Sequence, residues 1–229
     1  MASRINFKTI LAKYQQIGKG NVRLTQSTLF LTRPINPTTT VYNFDVLESQ
    51  TQTLEGNEIR LNLNDEFLIT QIGFYLQGKL LNAENIDTGK KVLLTYVPLQ
   101  TNSAEAFKLA SFYDGAFQIA VNNIVYLDKY DTRKSEIIPI SNDQSALAGT
   151  NAAMVGSNDF AKSGLYGTEP MISLSGAKKN TLQLTLPSSL DVAKFLYTDN
   201  LGIKYFVLVD RVAVKFLGLN AQNGASFQK

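Results

Sequence analysis

The stretch FYDGAFQIAVNNIVYLDKYDT, residues 112–132, decides how the rest of the chain is read. Phe117, Ile119 and Val121 alternate with Gln118 and Ala120. Asn122-Asn123 then supplies two residues that tolerate a left-handed backbone, and Ile124 to Leu127 resume the apolar run. The pattern predicts two antiparallel strands joined by a tight turn. It brings no catalytic chemistry with it, so its meaning depends on what lies on either side.

A period of two extends in both directions. Thr28–Thr32 reads as a strand stopped by Pro34 and Pro37; Tyr42, Phe44 and Val46 alternate with polar neighbours, as do Ile59, Leu61 and Leu63. Phe67–Leu76 and Lys204–Leu217 are apolar at both parities, the pattern of strands covered on two sides. Further strands are expected over Lys91–Val97 and Thr181–Leu186. Short helices are expected from Ser103 through Leu109, and after Ser188, where Asp191 stands at the third position of a capping box. Between Ser141 and Gly176 the composition turns to Ser, Asn, Gly and Ala and reads as one long loop.

Closely spaced strands without regular intervening helices favour an antiparallel arrangement over a βαβ fold. The expected fold is all-β, a mainly antiparallel, jelly-roll-like β-sandwich of eight to ten strands, with a short N-terminal helix and one or two short inserted helices. A chain of 229 residues forms this as a single domain over 22–229, preceded by an arm over 1–21.

The arm is distinctive in charge. Arg4, Lys8, Lys13, Lys19, Arg23 and Arg33 all precede the first acidic residue, Asp45, so the first 44 residues carry +6 while the whole chain carries only +3. Within the arm Phe7, Ile10, Leu11 and Tyr14 recur at helical spacing behind a capping Asn6, with Gly18-Lys19-Gly20 as a hinge. The apolar stripe suits docking of the arm on the body or a neighbour. Arg4, Lys8, Lys13, Lys19 and Arg23 suit a polyanion, an acidic neighbouring subunit, or a solvated face.

Composition excludes much chemistry. The chain has no His and no Cys, which removes imidazole bases, thiolate nucleophiles and the metal sites that need either. Carboxylates remain: Asp65-Glu66, Asp128, Asp131 and Asp210 are the candidates for a glycosidase pair, and Asn62, Asn64, Asp65 and Glu66 for oxygen ligation of calcium. Neighbouring carboxylates on a strand point to opposite faces, and the EF-hand pattern is absent. Asp65-Glu66 is therefore expected to mark a turn, Asp210-Arg211 to form an ion pair, and the chain to be no enzyme and to carry no metal or cofactor. No run reaches the roughly 20 apolar residues of a membrane-spanning helix. Only 18% of residues are charged against about 25% in typical soluble domains. That deficit is expected where surface is buried against other chains.

Together, LTRPINPTTTVYNF (31–44), YDGAFQIAVNNIVYL (113–127), the basic arm and the Cys-free β body resemble the jelly-roll capsid proteins of small icosahedral viruses, in particular virion structural proteins of bacteriophages. The resemblance implies a capsid subunit, made in the host cytoplasm and resident in the virion. Its partners would be many copies of itself, other virion proteins and, through the arm, viral nucleic acid. A trimeric receptor-binding spike or vertex protein and a carbohydrate-binding module are the alternatives.

Overall fold

The computed structural model describes residues 23–47, 58–97, 104–137, 164–198 and 204–222. Ten strands lie among them: β1 (Arg23–Pro34), β2 (Val41–Phe44), β3 (Glu66–Leu81), β4 (Asp87–Leu94), β5 (Ala116–Val121), β6 (Ile124–Asp131), β7 (Tyr166–Ser175), β8 (Asn180–Thr185), β9 (Ala193–Thr198) and β10 (Lys204–Gln222). One short helix, α1 (Ala104–Ala110), runs into a 3-10 turn over Ser111–Asp114, and a second 3-10 turn covers Thr132–Ser135. The chain is an all-β sandwich of a six-stranded and a four-stranded sheet.

Strand pairing gives the topology. With β4 and β9 set aside, the large sheet runs β1-β10-β3-β7 and the small one β2-β8-β5-β6, every pair antiparallel. The pairs β5·β6, β3·β7, β2·β8 and β1·β10 are nested, each enclosing the one before in sequence. The chain is thus one long hairpin rolled over on itself, which is the jelly roll. Its apex is the Asn122-Asn123 turn, where both residues have positive φ (49° and 65°). That is the backbone a two-residue turn needs to match the right-handed twist of its strands. The strand β4 extends the large sheet beside the far half of β3, and β9 does the same beside the first half of β10.

The inner faces of both sheets form one core. Phe117 on β5 packs its ring against Phe74 on β3 at 5.0 Å and against Phe44 on β2 and Phe216 on β10, each at 6.3 Å. Edge-to-face contacts of this kind add to the area each ring buries. Phe112 and Tyr113 are buried in the same core, and the Tyr113 hydroxyl donates to the Leu94 carbonyl at 2.8 Å.

Several expectations are corrected. The run Ile59-Leu61-Leu63 is no strand: it makes two isolated bridges, Phe30↔Ile59 on the open edge of β1 and Leu47↔Leu61 beside the segment that follows β2. Ser188 caps no helix. After Leu186 the chain bends at Pro187 and Ser188 and runs without helix into β9, with Leu190, Ala193 and Phe195 buried, and Asp191 reaches Lys108 instead of a helix end. The last part of 141–176 is the strand β7; burial of Thr168, Ile172 and Leu174 fixes it in the sheet although its composition is loop-like. The strand expected over Lys91–Val97 begins earlier and ends at Leu94. The N-terminal helix lies outside the described residues.

Two consequences are testable. Asn123→Gly keeps the left-handed turn without strain, whereas Asn123→Val costs about 1–3 kcal/mol, read from denaturant midpoints. Burial pushes the Tyr113 phenol far above its ordinary value, with the Glu136 and Tyr75 charges adding to it, and burial alone raises Tyr75. A raised folded pKa means stability is complete below the unfolded tyrosine value of about 10 and falls as pH rises beyond it. Unfolding free energy measured from pH 8 to about pH 11 is expected to drop above pH 10, with a shallower drop in Tyr75→Phe.

Candidate interaction surfaces

The predicted arm residues Arg4, Lys8, Lys13 and Lys19, and the docking residues Phe7, Ile10, Leu11 and Tyr14, lie outside the described residues. Arg23 opens β1 opposite Gln222, beside the start of β3 and the end of β7. The arm therefore joins the body at the end of the sandwich that holds the β5–β6 turn.

At that end the described parts of the connections are held by polar contacts. Asn122 donates its N–H to the Lys179 carbonyl at 2.9 Å, and the Lys179 N–H returns to Asn122 Oδ1 at 3.1 Å. Asp65 accepts at Oδ2 from Asn220 at 3.0 Å and Asn62 at 3.4 Å, and its carbonyl accepts the Gly176 N–H at 2.9 Å. Asp65 is buried, and its oxygens serve the turns. Among the described residues no group of three or more carboxylates is placed to hold a metal ion.

The opposite end receives other connections. The stretches 82–115, 132–165 and 186–203 all leave from it, and they carry β4, α1 and β9. There the Lys108–Asp191 ion pair ties α1 to the approach of β9, with Phe107 and Val192 exposed beside it.

The remaining charged candidates separate. Asp210 does not pair with Arg211 as expected. It sits at a β-bulge between Val209 and Arg211, 3.0 Å from the Lys79 ammonium, while Arg211 donates to Thr32 Oγ1 at 2.9 Å. The bulge explains this, because an extra residue turns the two side chains out of a common row. Asp128 and Asp131 are exposed on β6, and Asp128 accepts from Gln118 at 3.3 Å. A buried pair that sequence reasoning missed is Glu58–Arg60. Both side chains are 4% exposed and 3.1 Å apart, and Glu58 also accepts the N–H and hydroxyl of Thr32 at 2.9 and 2.8 Å. The alternation at 58–63 hid it, since nothing local says that Glu58 caps the edge of β1.

The outer face of the small sheet is polar, with the acids Asp128 and Asp131 on its β6 edge. Asn43, Gln183 and Gln118 stand opposite one another across β2, β8 and β5, and Gln183 donates to Asn43 at 3.1 Å.

Comparison with known proteins finds no family model, no curated protein and no solved structure that matches the chain. No helix among the described residues is long and apolar enough to cross a membrane.

Removing Glu58 leaves Arg60 buried without its carboxylate and strips an acceptor from the β1 edge. Glu58→Ala is expected to lose about 3–5 kcal/mol in denaturant unfolding, and Glu58→Gln less, because it keeps an acceptor for Thr32.

Proposed function

We propose that the chain is a non-enzymatic virion structural protein, a subunit that assembles with copies of itself into a capsid shell. The observation that carries the reading is the nested pairing β5·β6, β3·β7, β2·β8 and β1·β10. This eight-strand roll is an architecture used by viral capsid domains, and also by lectins and cupins. Three features favour the capsid among these. The chain is poor in charge, its net positive charge is concentrated at +6 in the first 44 residues, and the absence of His and Cys removes the usual cupin metal ligands. Function argued from fold is argument by analogy, and the sequence resemblance points the same way.

Assembly in this reading uses many modest interfaces closed by symmetry. The arm enters from the end that holds the β5–β6 turn and supplies Arg4, Lys8, Lys13, Lys19 and Arg23 to the genome or to a neighbouring subunit. Phe7, Ile10, Leu11 and Tyr14 dock it. A spike or vertex role is the second reading, and it is favoured by the gathering of the connections 82–115, 132–165 and 186–203 at one end of the sandwich, the arrangement of loops that carry recognition.

Light scattering and negative-stain imaging at low and high salt separate the two. Closed particles whose yield changes with salt are expected; a discrete trimer selects the spike, and a monomer at every concentration overturns both. Changing Arg4, Lys8 and Lys13 to Glu is expected to lower particle yield and the nucleic acid recovered with the particles. Unchanged yield and unchanged nucleic acid content would remove the arm from this role.

A further inference from the structure

The outer face of the large sheet differs from that of the small one. Val207 and Val209 of β10 point into the core, so Lys204, Phe206 and Leu208 point away from it. Directly opposed residues of antiparallel strands share a face, and the register then builds rows across four strands. One row reads Lys194, Leu208, Lys79 and Lys91 across β9, β10, β3 and β4. The next reads Leu196, Phe206, Leu81 and the acid Asp87, and Lys204 stands one row further out, opposite Thr198. Lys194, Leu196 and Lys204 are exposed, and Phe206, Leu208 and Lys91 half-buried. The acids in reach are Asp210, which is engaged with Lys79, and Asp87 and Glu84 on the rim at the β3–β4 connection.

We propose that this face of β9-β10-β3-β4 binds single-stranded nucleic acid without sequence preference. Strand spacing sets the first lysine row about 14 Å wide, and successive rows lie about 7 Å apart, so the ammonium groups line a track broad enough for a backbone to cross. The half-buried Phe206 ring lies between the lysine rows. It offers a base the stacking surface that sequence-tolerant single-strand binders use. Lys194 now sits over that ring at 4.3 Å. A stacked base takes the place of this ammonium, which turns outward to a phosphate. Lysines in place of arginine forks give point charges suited to phosphate and not to reading base edges. A flat pleated surface with a single ring and aliphatic neighbours disfavours membrane insertion, which needs protruding apolar residues. The face belongs to one subunit and does not require the shell: a monomer carries it too.

Fluorescence anisotropy of labelled oligothymidylate and oligoadenylate, titrated across salt concentrations, tests it on the full chain. Lys91→Glu, Lys194→Glu and Lys204→Glu combined are expected to weaken binding at least about tenfold and to reduce the slope of log affinity against log salt by about 2, three phosphate contacts being lost. Phe206→Leu keeps the charge and fills the same place in the sheet. It is expected to cost about tenfold with the salt slope unchanged, a split that a general loss of fold does not produce. A variant with Arg4, Lys8, Lys13 and Lys19 changed to Gln runs in parallel to measure the arm. No binding by the parent protein overturns the proposal, as does binding lost with the arm but kept in both sheet variants. Co-sedimentation with phosphatidylserine vesicles without oligonucleotide binding overturns it in favour of a membrane surface. Should the triple variant not fold, Lys194→Glu alone and Phe206→Leu decide.

Discussion

The ring of Phe117 is where the two sheets become one structure. It sits on β5, in the innermost pair of the rolled hairpin, and meets Phe44 of its own sheet and Phe74 and Phe216 of the other. A nested hairpin has no reason to fold over unless its inner pair finds a surface on its outer ones, and here four rings from four strands make that surface. Burial of large rings is the dominant favourable term available to such a chain, and their rigidity makes the meeting point specific. Long-range pairs such as Arg23 with Gln222 enclose the inner pairs, so closing them costs least loop entropy once the strands between are paired.

The two long strands, β3 and β10, are the spine, and both change phase along their length. On β3 the core-facing residues are Phe67 and Ile69 and then Ile72, Phe74 and Leu76. The slip falls at Thr70, which is passed over in the pairing with β7 and with β10, and whose hydroxyl donates to the Leu217 carbonyl at 2.9 Å. On β10 a slip at Asp210 separates Val207 and Val209 from Val212, Val214 and Phe216. Bulges of this kind sharpen the local twist and let one strand serve two differently oriented halves of a sheet. The first half of β10 therefore pairs with β9 and the second with β1. A nearby close approach limits the sequence: a Cβ on Gly218 would lie 2.0 Å from the Leu68 carbonyl oxygen, so only glycine fits there.

These slips explain what could and could not be read from the amino-acid order. The β5–β6 hairpin was legible because its alternation and its turn residues are adjacent in sequence, and Asn122 and Asn123 adopt the backbone they imply. The apolar runs at both parities in 67–76 and 204–217 were legible as strands but not in detail. Residues of both parities face the same core once a bulge intervenes, and a small buried cluster of Phe30, Tyr75 and Ala213 lies on the other face. The strand β7 and the extended approach to β9 were missed because pairing partners override weak local preference. The interaction surfaces were less legible still. Charge segregation in the arm is a property of order along the chain, whereas the lysine rows exist only through the registers of β9, β10, β3 and β4, which no local pattern states.

The topology also dictates where variation can go. In a rolled hairpin the connections alternate between two ends. Here the β2–β3, β5–β6 and β7–β8 connections share one end, and those that carry β4, α1 and β9 the other. At the first end the described backbones pass close together: a Cβ on Gly176 would lie 2.2 Å from the Asn62 carbonyl oxygen, and Asn122 and Lys179 bond each other directly. The added strands come from the second end, where β4 and β9 widen the large sheet beside β3 and β10. That widening creates the lysine-bearing face, since without β9 and β4 the rows would end at Leu208 and Lys79. The lysine-bearing face is thus built where strands outside the eight-strand roll join its two longest members.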